Sequence, residues 1–273
     1  MHAAAGPGPD SPFHWNAEVR PGLRVAFTTA AAGNLALHVG DDADGVRRNR
    51  RRLEDSMGVS AGSLRFMSQT HSDRVAVLDH DRHGQHAQHG RPGRGDGGAA
   101  GAAGDASRVP DADGMVSPAG LHPLAVLVAD CVPIVLADAS VAEGGTGATA
   151  VVHAGRAGVG NGIVANAARV LARSGARDLM AWIGPSVCGS CYEVPEDMMR
   201  SVAKVLPEAA SRTRAGTPAL DLPAAVRRQL EDAGIRVGPM SGNGTLCTLE
   251  NPGLFSHRRE PGAGRIAGLV WRP

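Results

Sequence analysis

Short, unbroken apolar runs alternate with segments of helical periodicity along most of the chain. Leu23–Thr29, Leu124–Ala129, Thr149–Val152, Leu179–Ile183 and Ile266–Val270 read as buried strands. Leu64–Gln69 and Arg74–Asp79 read as two shorter strands around Thr70-His71-Ser72-Asp73, and Ile134–Ala137 as a strand or a helix start. A helix is expected from a cap at Asp44 to Met57, stopped by Gly58. Another begins after Gly158, with Ile163, Val164, Ala167, Val170 and Leu171 at helical spacing. Pro195 to about Leu206 reads as a third, with proline in its first turn. Asp221 caps a fourth through Ala233, closed by Gly234. Strands with no polar alternation are covered on both faces. The pattern therefore predicts a layered α/β or α+β fold.

Composition sets the limits. With 273 residues and 42% apolar content, the chain can fill a sizeable core. Residues 1–14 read as a disordered tail, and 15–273 as a single catalytic domain. That domain is interrupted at about 80–108 by a stretch rich in Gly, Ala and His, read as a flexible insertion whose histidines (His80, His83, His86, His89) sit in an unstructured surface loop, with loose metal binding as the alternative. A formal net charge of +1 argues against nucleic acid or an anionic membrane as partner. Nothing resembles a signal peptide or a membrane span, so a cytoplasmic location is expected. In that compartment Cys131, Cys188, Cys191 and Cys247 are expected to be free, metal-bound or catalytic rather than bridged.

Three residues stand out by position. His71, Cys131 and His153 each follow an expected strand, and strand ends in layered folds commonly converge on a ligand site. Two imidazoles and a thiolate suit zinc and leave a fourth position for water. The same trio would equally serve a cysteine nucleophile with a histidine base. Cys188-Gly189-Ser190-Cys191 is a CxxC in a loop-like stretch with no second CxxC, and reads as two incidental thiols. The glycines of 155–162 form a turn whose N–H groups suit an anion, and Arg258, Arg259 and Arg265 suit either an anion clamp or surface charge.

A series of ordered motifs resembles the YfiH/YlmD-type laccase-domain (polyphenol oxidase) family over about residues 23–272. They are Asn34-Leu35-Ala36-Leu37-His38-Val39-Gly40-Asp41-Asp42, Val46 and Asn49-Arg50, Gln69-Thr70-His71, Asp111-Ala112-Asp113-Gly114, Ala129-Asp130-Cys131-Val132-Pro133 and Val152-His153-Ala154-Gly155. Ile183-Gly184-Pro185, Cys191-Tyr192-Glu193-Val194 and Phe255-Ser256-His257-Arg258-Arg259 complete the series. Arg156-Ala157 stand where most members carry Trp-Arg, and His257 where many carry Tyr.

The resemblance implies an α+β class fold: a layered α/β/β/α sandwich with mixed sheets, related to a bacterial toxin with a Cys–His site. It also implies zinc on His71, Cys131 and His153, with copper as the alternative metal. The implied activity is that of a purine nucleoside phosphorylase and adenosine deaminase acting on small purine nucleosides and phosphate, as a monomer or homodimer. His71, Cys131, His153 and Asp130 are the expected catalytic residues; capping its own turn is an equal reading of Asp130. Asn34, Arg50, Arg156 and Arg258 are the expected substrate or phosphate contacts. The alternatives are a Cys–His amidase acting on peptidoglycan precursors, a copper-dependent polyphenol oxidase, and a catalytically silent metal-binding protein.

Overall fold

The computed structural model describes residues 11–40, 42–78, 109–240 and 245–273. Most of the expected N-terminal tail and the whole 80–108 insertion lie outside the described residues. In chain order the elements are β1 (Phe13–Arg20), β2 (Leu23–Thr28), α1 (Ala43–Met57), β3 (Val75–Val77), β4 (Gly114–Ser117), β5 (Leu124–Val128), β6 (Val132–Asp138) and β7 (Thr149–Ala154). There follow α2 (Arg156–Gly160), α3 (Ile163–Arg173), β8 (Leu179–Ile183), α4 (Glu196–Ala203), β9 (Ala210–Arg212), β10 (Pro218–Leu220), α5 (Leu222–Asp232), β11 (Arg236–Val237) and β12 (Ile266–Trp271).

Two sheets carry the fold, in the orders β1-β2-β12-β5 and β11-β8-β6-β7-β4-β3; β9 and β10 form a separate ribbon. The first is antiparallel, and the second is mixed, with parallel pairs at β11-β8 and β3-β4. Successive residues of a strand face opposite sides, and here both sides are apolar. On β5, Leu124, Val126 and Val128 turn toward the second sheet, where they meet Val135, Val151 and Trp182. Ala125 and Leu127 turn the other way and pack with Leu53 and Met57 of α1. The far face of the second sheet buries Ile134, Leu136 and Val152 against Ile163 and Leu171 of α3 and Val226 and Leu230 of α5. The layers therefore run α/β/β/α. Each fully buried Leu, Ile or Val contributes about 1.5–3 kcal/mol, which makes these three apolar layers the main source of stability. The middle layer closes tightly around Phe27: a Cβ at Gly184 would lie 2.2 Å from its ring.

Several expectations change in the structure. The cap of α1 is Asp42 rather than Asp44, its carboxylate accepting from the N–H groups of Asp44 and Gly45 at 2.8 Å. Gly58 does end that helix, with φ of 70°. Leu64–Gln69 forms only isolated bridges, Arg65 with Leu124 and Ser68 with Asp111. At its end the Gln69 amide replaces a backbone unit, donating to Leu127 O (2.6 Å) and accepting from Leu127 N (2.9 Å). β1, a strand the pattern did not single out, begins at Phe13, inside the expected 1–14 tail, and the Phe13 ring stacks on Trp271 with ring centroids 6.3 Å apart. The helix expected after Gly158 is α3, and a separate short helix not expected from the pattern, α2, precedes it, divided from it by Asn161 and by Gly162 at φ 87°.

Candidate metal centre

His71, Cys131 and His153 converge at one end of the layer between the sheets, with their donor atoms all within 4.8 Å of one another. His153 lies inside β7 rather than beyond it, on the face it shares with Val151. Cys131 sits in the tight connection between β5 and β6. His71 lies on the loop before β3, its Nε2 3.7 Å from Cys131 Sγ and its ring edge-on to His153 at 4.7 Å. Among the described residues, His71 (φ 61°) and Asp130 (φ 84°) are the only non-glycine residues with positive φ. L-residues pay for that conformation, so both turns are held by their surroundings.

Asp113 does much of the holding. It is fully buried directly before β4. Its Oδ1 accepts from His153 Nδ1 (2.7 Å) and His71 N (3.1 Å). Its Oδ2 accepts from Ser72 N and Ser72 Oγ (both 2.6 Å) and Thr70 N (3.2 Å). Burial would raise the Asp113 pKa, but these donors overcome it and keep the group ionised, well below the usual carboxylate range. Burial likewise opposes charge on Cys131 and His153. The hydrogen bonds of Cys131 with His153 and His71 nonetheless bring its thiol down to about 6. The bonds of His153 with Asp113 and Cys131 raise it to about 9.

Asp130 faces away from this trio. Its Oδ1 accepts from Thr248 Oγ1 (2.6 Å), its Oδ2 from Arg258 N (2.8 Å), and its carbonyl from Val187 N (3.0 Å). It ties three loops together beside Cys131. The Asn34 amide is committed to backbone, donating to Ala36 O and Val39 O and accepting from Ala36 N and Arg265 N. Arg50 donates twice to Leu35 O and stacks over Phe66 at 3.7 Å. Arg156 is exposed on the first turn of α2. Arg258 is exposed over the Tyr192 ring at 4.5 Å.

Sequence reasoning passed over the roles of Asp113 and Thr248, and left Arg265 undecided between anion clamp and surface charge. The Asp-x-Asp-Gly turn was visible, but nothing local shows which histidine it reaches. Arg265 is half-buried: burial lowers its pKa, and the nearby Cys131 and Asp130 charges oppose that. Burial, then Arg265 and Arg50, lower the pKa of His38. Arg265 therefore sets a positive charge near Cys131.

The trio fits a metal ion. The Asp113 bond leaves His153 Nε2 turned inward as a donor, and a Cβ at Gly155 would lie 2.6 Å from His71 Cδ2 and 3.2 Å from Cys131 Sγ. Glycine keeps that approach open.

A family model described as multi-copper polyphenol oxidoreductase laccase matches residues 24–273. The chain belongs to this family. Within it, the chain is 38% identical over 267 residues to a Mycobacterium tuberculosis protein named purine nucleoside phosphorylase, covering 94% of each. It is 40% identical over 240 residues to a Streptomyces coelicolor protein of the same name, covering 87% of each. The structure of YlmD from Geobacillus stearothermophilus superposes with a TM-score of 0.73 at 28% identity, covering 96% of this chain and 99% of that one. A Neisseria meningitidis protein gives 0.70 at 26% identity, with the same coverage. The α+β fold of this laccase-type family is thus the fold of the chain. Among the described residues no helix is long and apolar enough to cross a membrane.

Proposed function

We propose that this chain is a zinc-dependent purine nucleoside enzyme that cleaves adenosine, inosine and methylthioadenosine with phosphate and deaminates adenosine. The observation that carries the reading is the buried Asp113 carboxylate, which holds the His153 ring and the His71 backbone beside one thiol in a chain whose relatives are named purine nucleoside phosphorylase. When bound, zinc supplies a Lewis acid that polarises an oxygen and lowers the pKa of water. His71, Cys131 and His153 would hold it. Asp113 keeps the His153 proton on Nδ1. Asp130 holds the backbone of its neighbour Cys131 through Thr248 and Arg258 N. Arg156 and Arg258, both exposed, are the expected arginines whose side chains remain available to phosphate, since Arg50 is spent on Leu35. Cytoplasmic action on small soluble substrates accords with this assignment.

The test is to incubate zinc-replete protein with adenosine, inosine or methylthioadenosine, with and without phosphate, and to identify the products by mass. From adenosine, adenine and ribose 1-phosphate are expected only with phosphate, and inosine in both cases. A fully zinc-loaded protein that converts none of the three nucleosides would overturn the assignment.

One observation favours a second reading. A thiol brought down to about 6 beside two histidines is also the arrangement of a Cys–His hydrolase. Amide hydrolysis that survives chelation and stops in Cys131→Ser would select it. Copper oxidation of phenols has less support: the two groups able to hold a metal among the described residues contain only two histidines, too few for the trinuclear cluster of a laccase.

A further inference from the structure

A second group of soft donors lies outside the trio. Cys188, Cys191, Cys247 and Glu250 bring three sulfurs and a carboxylate oxygen within 4.8 Å of one another. The sequence offered a single CxxC; its complement comes from 59 residues away as a Cys-x-x-Glu turn. A short parallel bridge sets the two turns side by side, Ser186 N donating to Leu246 O (3.0 Å) and Thr248 N to Ser186 O (3.1 Å). Cys191 N donates to Cys188 O (3.0 Å) and Asn251 N to Cys247 O (2.9 Å), closing each turn. Cys188 N lies 3.5 Å from Cys247 Sγ, a contact that ties the two turns together. All four cysteines of the chain are free, and Cys247 is buried.

We infer that Cys188, Cys191, Cys247 and Glu250 form a structural zinc site separate from the His71–Cys131–His153 centre. Three thiolates and a carboxylate complete a tetrahedral shell with no open position, which is how structural zinc differs from catalytic zinc. Zinc–sulfur bonds of about 2.3 Å place ligands about 3.8 Å apart, a small contraction of the present cluster. Thiolates select zinc over magnesium or calcium. Binding releases three thiol protons to solvent and leaves two excess negative charges on the site, one of which Arg214 offsets through its 2.6 Å contact with Glu250 Oε1. The ion would fasten the Ser186–Tyr192 loop to the Leu246–Glu250 turn. Those segments supply Val187 N and Thr248 Oγ1 to Asp130, so the site would brace the residue next to Cys131.

The decisive measurement uses the full chain carrying Cys131→Ser, loaded with cobalt in place of zinc. A site with three thiolates gives intense sulfur-to-cobalt absorption in the near ultraviolet and tetrahedral bands in the visible. The remaining histidines of the first centre cannot produce the sulfur band. Wild type should hold two zinc ions per chain by elemental analysis, and Cys188→Ser/Cys191→Ser should hold one. A Cys131→Ser chain that takes up cobalt without a sulfur band overturns the inference. So does freshly purified protein in which Cys188 and Cys191 are found joined as a disulfide.

Discussion

Asp113 and His153 are joined by a buried 2.7 Å hydrogen bond that decides which nitrogen of the His153 ring is offered to Cys131. The same oxygen accepts from His71 N, so one carboxylate positions both histidines. Asp113→Asn replaces one acceptor oxygen with a donor, and either His153 or the Thr70–Ser72 backbone loses its partner. Zinc affinity at the first centre should fall about 10–100-fold, read by competition with a chromophoric chelator. Unchanged affinity would remove Asp113 from the positioning of the site.

Cys131 should be unusually reactive without metal. Its thiol is brought down to about 6 from an ordinary 9.0. Alkylation by iodoacetamide in chelator-treated protein should therefore be half-maximal near pH 6, slow below it and flat above it. Melting temperature is a poorer readout. The raised His153 pKa loses stability as pH rises toward about 9, and the lowered Cys131 pKa loses it as pH falls toward about 6. The two slopes oppose each other in between. Zinc should suppress the alkylation, and a midpoint near 9 would contradict the assignment.

Gly155→Ala tests the space in front of the trio. Its φ of −77° suits alanine, so the backbone carries no strain. The new methyl meets His71 Cδ2 at 2.6 Å. The variant should keep its far-ultraviolet dichroism and lose both zinc occupancy and nucleoside turnover. Wild-type zinc content would show that His71 can retreat without losing the metal.

Thr248→Val keeps shape and removes the 2.6 Å bond to Asp130. The loss should cost about 1–3 kcal/mol in urea unfolding, since a buried carboxylate oxygen is left without its donor. If that bond positions Cys131, kcat should fall with KM nearly unchanged. A stability loss with wild-type kcat would make the contact structural only.

Asp138 is a third buried carboxylate, far in function from the site. It accepts from Ser140 Oγ (2.7 Å), Ser140 N, Gly147 N, Arg177 N and Asp178 N. Burial opposes its charge, and these donors outweigh it and lower its pKa below 3.8. Its contribution is therefore complete above the ordinary carboxylate range and lost as pH falls through the lowered value. Asp138→Asn should destabilise by roughly 1–3 kcal/mol at neutral pH. The gap to wild type in urea midpoint should shrink in acid. A gap independent of pH would assign the loss to packing instead.

Much of the layering was legible because it is written in apolar periodicity. Leu23–Thr28, Leu179–Ile183 and the α5 helix capped by Asp221 fall where the pattern placed them. Short polar strands such as β9 and β11 left no such mark, and the Gln69 segment imitates a strand while its side chain does the pairing. The trio was legible as candidate ligands, because His and Cys at the ends of apolar runs are few. Asn34 and Arg50 stood in matching motifs, yet their side chains are consumed by backbone carbonyls that only the folded loop presents.

By itself the spacing of the sequence determined a layered fold of α/β or α+β class, the buried strands, the main helices and three residues suited to a metal, since each of these rests on local pattern and residue chemistry; the choice of α+β came from the ordered family motifs. Tertiary structure decided that His153 belongs inside β7 with its proton held by Asp113, and that Asp130 turns toward Thr248 and away from the trio. It also decided that Cys188 and Cys191 meet Cys247 and Glu250. Those relations join residues 40, 118 and 59 positions apart. Periodicity says which face of an element is buried; only the packed sheets say what that face meets.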